Sequence, residues 1–198
     1  MNPPWWGIPV LLVVGAAIIL GGWWWDRRRQ RAASEGFTTE EDLAAAAPPP
    51  GIPEDRLGEL LASRGPEPTF PAGLADRAFL THPQRGVAAV VDPYVVVTDT
   101  DLDDERLVLH LLDAAHTHRR ALVLVAPGFG PALLGTLRAN HVTGRVTTVP
   151  VELADPDLLA RAATLCGSTV VPDADLRSGW WPADRRGTCA AWVADLDD

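Results

Sequence analysis

Residues 92–130 contain two short apolar runs on either side of a helix pattern, and this arrangement restricts the fold most. The runs at 94–97 and 121–126 are rich in valine and leucine, as is typical of buried strands. Between them, apolar side chains recur at helical spacing: Leu102, Leu109, Leu112 and Ala115. Strand, helix and strand in this order predict a βαβ unit with parallel strands and a right-handed crossover.

The charges along this helix pattern agree with its predicted direction. Acidic residues are expected in the first turn and basic residues in the last, as the helix dipole favours. The acidic set is Asp101, Asp103, Asp104 and Glu105, and the basic set is His116, His118, Arg119 and Arg120. The sequence therefore predicts a helix that begins near Asp101.

The same alternation of helices and strands continues to the end of the chain. Helices are predicted at 131–141 and after Asp155-Pro156, an N-cap residue followed by a proline at the first helical position. Strands are predicted at 86–91, 146–151, 169–171 and 190–193. The pattern predicts an α/β domain over residues 70–198.

The first 25 residues carry no charged side chain, and they predict a transmembrane anchor at residues 1–25. A helix over residues 5–25 would span about 31 Å, enough to cross a bilayer core. Tryptophans mark both ends, and arginines at 27, 28, 29 and 31 follow at once. The positive-inside rule then predicts a single-pass protein of the cell membrane, with the N-terminus outside and the C-terminal domain cytoplasmic. A cleavable signal peptide is the alternative, but it carries its basic residues before the apolar run.

Residues 26–69 have the composition of a linker. Acidic residues, an alanine run and Pro48-Pro49-Pro50-Gly51 give this segment too little apolar surface for a core of its own. A short helix from Pro53 through Leu57, Leu60 and Leu61 is also compatible with the pattern. Docking of this helix on the domain stays open, but a semi-flexible spacer is the favoured interpretation.

Composition argues against several functions. Outside residues 26–31, 25 acidic residues face 13 arginines, and the chain contains no lysine, so we expect no nucleic-acid binding. The glycines at 128 and 130 are not followed by the Lys-Ser/Thr of a phosphate-binding loop, so we expect neither ATP nor another cofactor. Cys166 and Cys189 are too few for a disulfide framework and are expected to be reduced in a cytosolic domain.

From about residue 70 onward, a series of short motifs resembles the apical, substrate-binding domain of the group I chaperonins (the GroEL type). The first motifs are Phe79, Pro83-x-x-Gly86, Asp92-Pro93-Tyr94-Val95-Val96-Val97-x-Asp99 and Arg106-x-x-Leu109-x-x-Leu112-x-Ala114. The later ones are Ala121-Leu122-Val123-Leu124-Val125-Ala126, Leu134-x-Thr136-Leu137-x-x-Asn140-x-x-x-Gly144 and Ala163-Thr164-Leu165-x-Gly167-x-Thr169-Val170-Val171. The resemblance covers about two thirds of the chain and does not extend to the equatorial or intermediate domain. It implies a swivelling β/α/β sandwich in which two parallel helices border a groove.

In this family the groove and an adjoining extended segment bind polypeptide, which assigns a role to six residues here. By resemblance, Leu109 and Leu112 belong to the first helix of the groove and Leu134 to the second, whereas Leu74 and Phe79 belong to the extended segment. Arg138 stands where the family has an aliphatic residue, as does Ala139, and Ala78 replaces an aromatic residue. The resemblance therefore implies a peptide-binding module of narrow specificity that works without nucleotide.

Other interpretations of the same residues remain open. Leucines at helical spacing are commonly core residues, and an adaptor that docks one fixed partner by another surface is the principal alternative function. The histidines at 110, 116 and 118 lack the spacing of a metal site. Cys166 lies at the end of an apolar helix, which predicts an unreactive, buried thiol. No catalytic constellation is apparent, so we do not expect an enzyme. Trp180 and Trp181 are compatible with packing under the sheet or with an exposed apolar surface that binds a partner.

Overall fold

The computed structural model describes residues 52–62, 69–179, 181 and 185–196. The predicted membrane span at 1–25 and most of the predicted linker lie outside these ranges. Within them, no helix combines the length and the apolar character that crossing a bilayer requires.

The described residues alternate between helices and strands, as the sequence predicts. The helices are α1 (Glu54–Ala62), α2 (Arg106–His118), α3 (Pro131–Val142), α4 (Pro156–Leu165) and α5 (Asp173–Ser178), with a 3-10 helix at Arg77–Phe79. The strands are β1 (Gly73–Leu74), β2 (Val87–Val91), β3 (Tyr94–Val97), β4 (Leu122–Ala126), β5 (Thr148–Glu152), β6 (Gly187–Thr188) and β7 (Ala191–Asp195).

A five-stranded sheet forms the centre of the fold, in the order β1-β5-β4-β3-β6. Strands β3, β4 and β5 are parallel, with Tyr94 opposite Leu122 and Leu122 opposite Thr148. The edge strands β1 and β6 run antiparallel to their neighbours. Every residue of β3 and β4 is buried, as expected for strands covered on both faces. The predicted α/β class and the parallel βαβ unit are confirmed.

The two helices that the sequence places beside a groove lie on the same face of this sheet. The chain moves across the sheet in one direction from β3 to β4 to β5, and right-handed crossovers then put α2 and α3 on one face. The chain returns through α4 to Val171, which pairs with Thr98 beyond β3, so α4 covers the opposite face. Asp155 caps α4 as predicted, since its Oδ1 accepts hydrogen bonds from the backbone N–H groups of Asp157 and Leu158.

Helix α2 begins at Arg106, more than one turn later than predicted. The residues before it are held by the loop after β4: the Leu102 N–H donates to the Gly128 carbonyl at 3.0 Å, and the Gly130 N–H donates to the Leu102 carbonyl at 2.7 Å. A Cβ at residue 130 would lie 2.8 Å from the Cα of Asp103, so only glycine permits this close approach. The predicted acidic set therefore precedes the helix and does not form its first turn: Asp101, Asp103, Asp104 and Glu105.

The predicted strand at 169–171 is also shorter in the structure. Only Val171 pairs, through a single parallel bridge to Thr98, and its N–H donates to the Val97 carbonyl at 2.7 Å. Pro172 follows directly and has no N–H with which to extend the ladder. The chain turns instead into α5.

A second, two-stranded sheet pairs β2 with β7 in antiparallel register, from Val87–Asp195 to Val91–Ala191. Consecutive strands β2 and β3 thus belong to different sheets. The corner between them contains Asp92 at a φ of 45° and Pro93. Aspartate tolerates this left-handed conformation better than most residues do.

Helix α1 packs against this second sheet, within the segment predicted as a linker. Leu57 is 0% exposed and lies in a cluster with Ile52 and Ala89. The His82 ring Nε2–H donates to the Ile52 carbonyl at 2.7 Å, and Arg85 forms a 2.8 Å ion pair with Glu54. The spacer interpretation is therefore wrong for residues 52–62, because an apolar contact and a buried polar contact both hold this segment on the domain.

Candidate functional site

Helices α2 and α3 are tied together near both ends of the seam between them. At one end the Thr136 hydroxyl donates to Glu105 Oε2 at 2.8 Å. At the other end the His116 Nδ1–H donates to the Arg145 carbonyl, just beyond α3, at 3.1 Å. Since both helices follow parallel strands of one sheet, they run in the same direction. We call the seam between these two contacts the α2–α3 groove.

Leu109 is the large apolar side chain that the α2–α3 groove exposes. It lies one helical turn after Glu105 and two turns before His116, so it occupies the flank of α2 that faces α3. The residue is 51% exposed. On α3, Ala139 and Asn140 are half-buried and lie one turn beyond Thr136 on the facing flank. Leu109 is therefore available to an incoming side chain.

Leu112, one turn further along α2, points toward the sheet and belongs to the core. It is 5% exposed and packs in the main hydrophobic cluster. Residues three apart differ by about 60° around a helix, so one of the two leucines points to the sheet while the other remains at the surface. The peptide-binding role predicted for Leu112 is therefore incompatible with its burial in the core.

Leu134 and Arg138 lie on the opposite flank of α3. They are about half a turn away from Thr136 around the helix axis and share a stripe with His141, whose ring meets that of Phe79 edge-on at 5.6 Å. Both residues are half-buried, and Leu134 packs against the core. They face the extended segment around the 3-10 helix and not the α2–α3 groove.

The two predicted residues of that extended segment are core residues. Leu74 is 7% exposed and Phe79 is 1% exposed, and both belong to the main cluster. Leu74 sits in β1, which pairs with β5, while Phe79 ends the 3-10 helix against α3. The binding role predicted for Leu74 and Phe79 is therefore wrong, since neither offers surface to a partner.

Arg138 places a charged side chain on this flank of α3. Its Nε is buried and has no hydrogen-bond partner among the described residues. Unpaired buried donors are costly, about 1–3 kcal/mol, and are usually satisfied by a partner. The position therefore favours an acceptor group, such as a carboxylate or a backbone carbonyl, beside the half-buried Leu134.

The α2–α3 groove runs between ends of opposite charge. The exposed carboxylates of Asp101, Asp103 and Asp104 lie where α2 begins. An open recess of about 650 Å³ lies where α2 ends, and we call it the basic recess. Its lining includes four basic side chains, His116, Arg119, Arg120 and Arg145, and also Gly144 and Thr147. Arg120 is paired with Asp92 at 2.6 Å and lies over the Tyr94 ring. This polarity gives an extended ligand a preferred direction.

Three residues of the basic recess, His116, Arg119 and Arg120, were identified from the sequence only as charges at the end of a helix. Arg145 belongs to the turn after α3, and the backbone contact from His116 to its carbonyl brings it to the recess. No local pattern signals this encounter, because the two residues are 29 positions apart. Among the described residues, no group of three His, Cys, Asp or Glu side chains is placed to hold a metal ion.

Trp181 is a packing residue. It is 7% exposed, meets Tyr94 edge-on at 5.5 Å, and carries the Arg186 guanidinium 5.0 Å over its ring. Its neighbour Trp180 lies outside the described residues. Of the two interpretations that the sequence left open, burial is the one that applies to Trp181.

No model of a known protein family matches the chain. The topology of the described residues defines an α/β domain with a mixed sheet, in which two parallel helices border the α2–α3 groove.

Proposed function

We propose that this chain is a membrane-anchored module that binds peptide or protein segments without nucleotide, with an apical-domain-like swivelling β/α/β sandwich over residues 70–198. The exposed Leu109 between two parallel helices supports this proposal most strongly. The order of elements from β2 to α4 is compatible with the resemblance to chaperonin apical domains. The apolar, uncharged residues 1–25 and the arginines after them support anchoring in the cell membrane with the domain in the cytoplasm.

The proposed binding mode is an extended or hairpin-like segment lying along the α2–α3 groove. An apolar side chain of the ligand contacts Leu109, while basic and acidic ligand groups meet the oppositely charged ends of the groove. The apolar contact is small, because Leu74, Phe79 and Leu112 are committed to the core. This favours a narrow set of partners over the capture of unfolded chains in general. Tethering to the bilayer raises the local concentration of partners that are also in the membrane.

Replacing Leu109 with Asp is expected to weaken partner binding about tenfold or more, because a charge replaces an apolar contact worth roughly 1.5 kcal/mol. The matched control is Leu165→Asp, since Leu165 is 52% exposed but lies on α4, on the other face of the sheet. The measurement is a crosslinking pulldown from membranes with full-length protein, followed by quantification of each captured partner. Equal capture by the two variants would rule out groove binding.

An adaptor that docks one fixed partner by another surface is the second candidate. The basic recess favours it, since Arg119 and Arg145 are exposed and can hold an acidic partner without a contact to Leu109. In that case Leu109→Asp retains the partner, which groove binding would lose, whereas the double variant Arg119→Glu with Arg145→Glu weakens binding in either case. The same pulldown therefore separates the two functions.

A further inference from the structure

The only two cysteines of the chain lie side by side in the structure, although 22 residues separate them in the sequence. Cys166 follows the last residue of α4, and Cys189 follows β6. The Thr188 N–H donates to the Cys166 carbonyl at 2.8 Å, and the Cys189 thiol donates to the Ala191 carbonyl at 3.3 Å. A Cβ placed at Gly187 would lie 3.0 Å from the Cβ of Cys166. The chain segments that carry the two cysteines are therefore in direct contact.

The two thiols differ in access and in acidity. Cys166 is buried, whereas Cys189 is half-buried and can be reached from solvent. The neighbouring Cys189 side chain lowers the pKa of the Cys166 thiol, whereas the Cys166 side chain, together with burial, raises the pKa of Cys189. A low-pKa thiolate next to an accessible thiol suits a resolving cysteine, which attacks a neighbouring sulfur once that sulfur has been modified.

We propose that Cys166 and Cys189 form a reversible intramolecular disulfide, with a low-molecular-weight disulfide such as oxidised glutathione as the oxidant. Cys189, the accessible thiol, first loses its proton to solvent, and its raised pKa makes this the slow step. Its sulfur then attacks one sulfur of oxidised glutathione and displaces one molecule of reduced glutathione, which leaves a mixed disulfide on Cys189. The Cys166 thiolate then attacks the Cys189 sulfur, and the second glutathione leaves. In total, the two protein thiols lose two protons and two electrons, and one oxidised glutathione becomes two reduced molecules.

The disulfide ties the end of α4 to the C-terminal segment of the domain. Strand β6 pairs with β3 at the sheet edge, and the chain then continues into β7, which completes the second sheet. Oxidation therefore closes a loop that contains α5 and holds both sheets to α4. A crosslink of this kind stabilises mainly by restricting the unfolded chain.

The test is a redox titration of the full-length protein in detergent with mixtures of reduced and oxidised glutathione. We expect the intact mass to fall by two hydrogen atoms, both thiols to become resistant to alkylation, and a proteolytic digest to link the two cysteine peptides. The melting temperature is expected to rise by about 5–10 °C on oxidation and to return to its starting value with dithiothreitol.

The serine variants Cys166→Ser and Cys189→Ser are the controls, and neither is expected to show the reversible rise in melting temperature. The digest of the unmodified protein gives a readout that does not depend on how these variants fold. Two freely alkylatable thiols under oxidised glutathione, a stable mixed disulfide, or crosslinking only between molecules would overturn the proposal. The titration does not depend on peptide binding, so its failure would leave the proposed function untouched.

Discussion

Lowering the pH from 7 to 4 is expected to remove about 3 kcal/mol from the free energy of unfolding through His141 alone. The His141 ring is buried at the centre of the α3–β5 contact, where burial lowers its pKa from 6.5 to about 4 against the opposing effect of a hydrogen bond with Thr148. The folded pKa lies below the unfolded one, so between about pH 4 and 6.5 the unfolded chain binds more protons. Stability is therefore complete above the unfolded pKa and is lost as the pH falls through this window.

The measurement is urea unfolding at a series of pH values, with His141→Leu as the comparison. Leucine cannot be protonated, so the difference in free energy of unfolding between the two proteins should shift by about 3 kcal/mol between pH 7 and 4 in favour of the variant. All other titrating groups are common to both proteins and cancel. Parallel pH dependence of the two proteins would show that His141 is not buried as a neutral ring.

Shortening Leu57 to Ala is expected to cost about 2–5 kcal/mol of stability, because the side chain is fully buried between α1 and the second sheet. The loss is expected to appear in thermal or urea unfolding as one cooperative transition with the rest of the domain. Glu59→Ala, on the exposed side of α1, is the matched control and should change stability by less than about 0.5 kcal/mol. If Leu57→Ala and Glu59→Ala are equally stable, α1 is not docked.

The three parallel strands of the central sheet were predictable from residue spacing, whereas the edge strands β1 and β6 were not. Continuous apolar runs identify β3 and β4 because both faces of these strands are covered, and Asp155-Pro156 identifies the start of α4. The start of α2 was not predictable in this way. It depends on backbone hydrogen bonds between Leu102 and the loop around Gly128, a contact between segments far apart in the sequence.

The candidate site was predictable only in part, for a related reason. Helical spacing shows that Leu109 and Leu112 lie on neighbouring stripes, but the position of the sheet decides which of them is buried. The same limit applies to α1, which docks through a hydrogen bond from His82 to Ile52. It applies again to Cys166 and Cys189, whose proximity depends on the pairing of β6 with β3.

A photo-crosslinking amino acid placed at position 109 of the full-length protein in its membrane tests groove binding most directly. The same group at position 165, equally exposed on the other face of the sheet, is the comparison. Groove binding predicts a discrete set of polypeptide crosslinks at 109 that are absent at 165 and unaffected by removal of ATP. Crosslinks of equal number and identity at both positions, or none at 109, would contradict it.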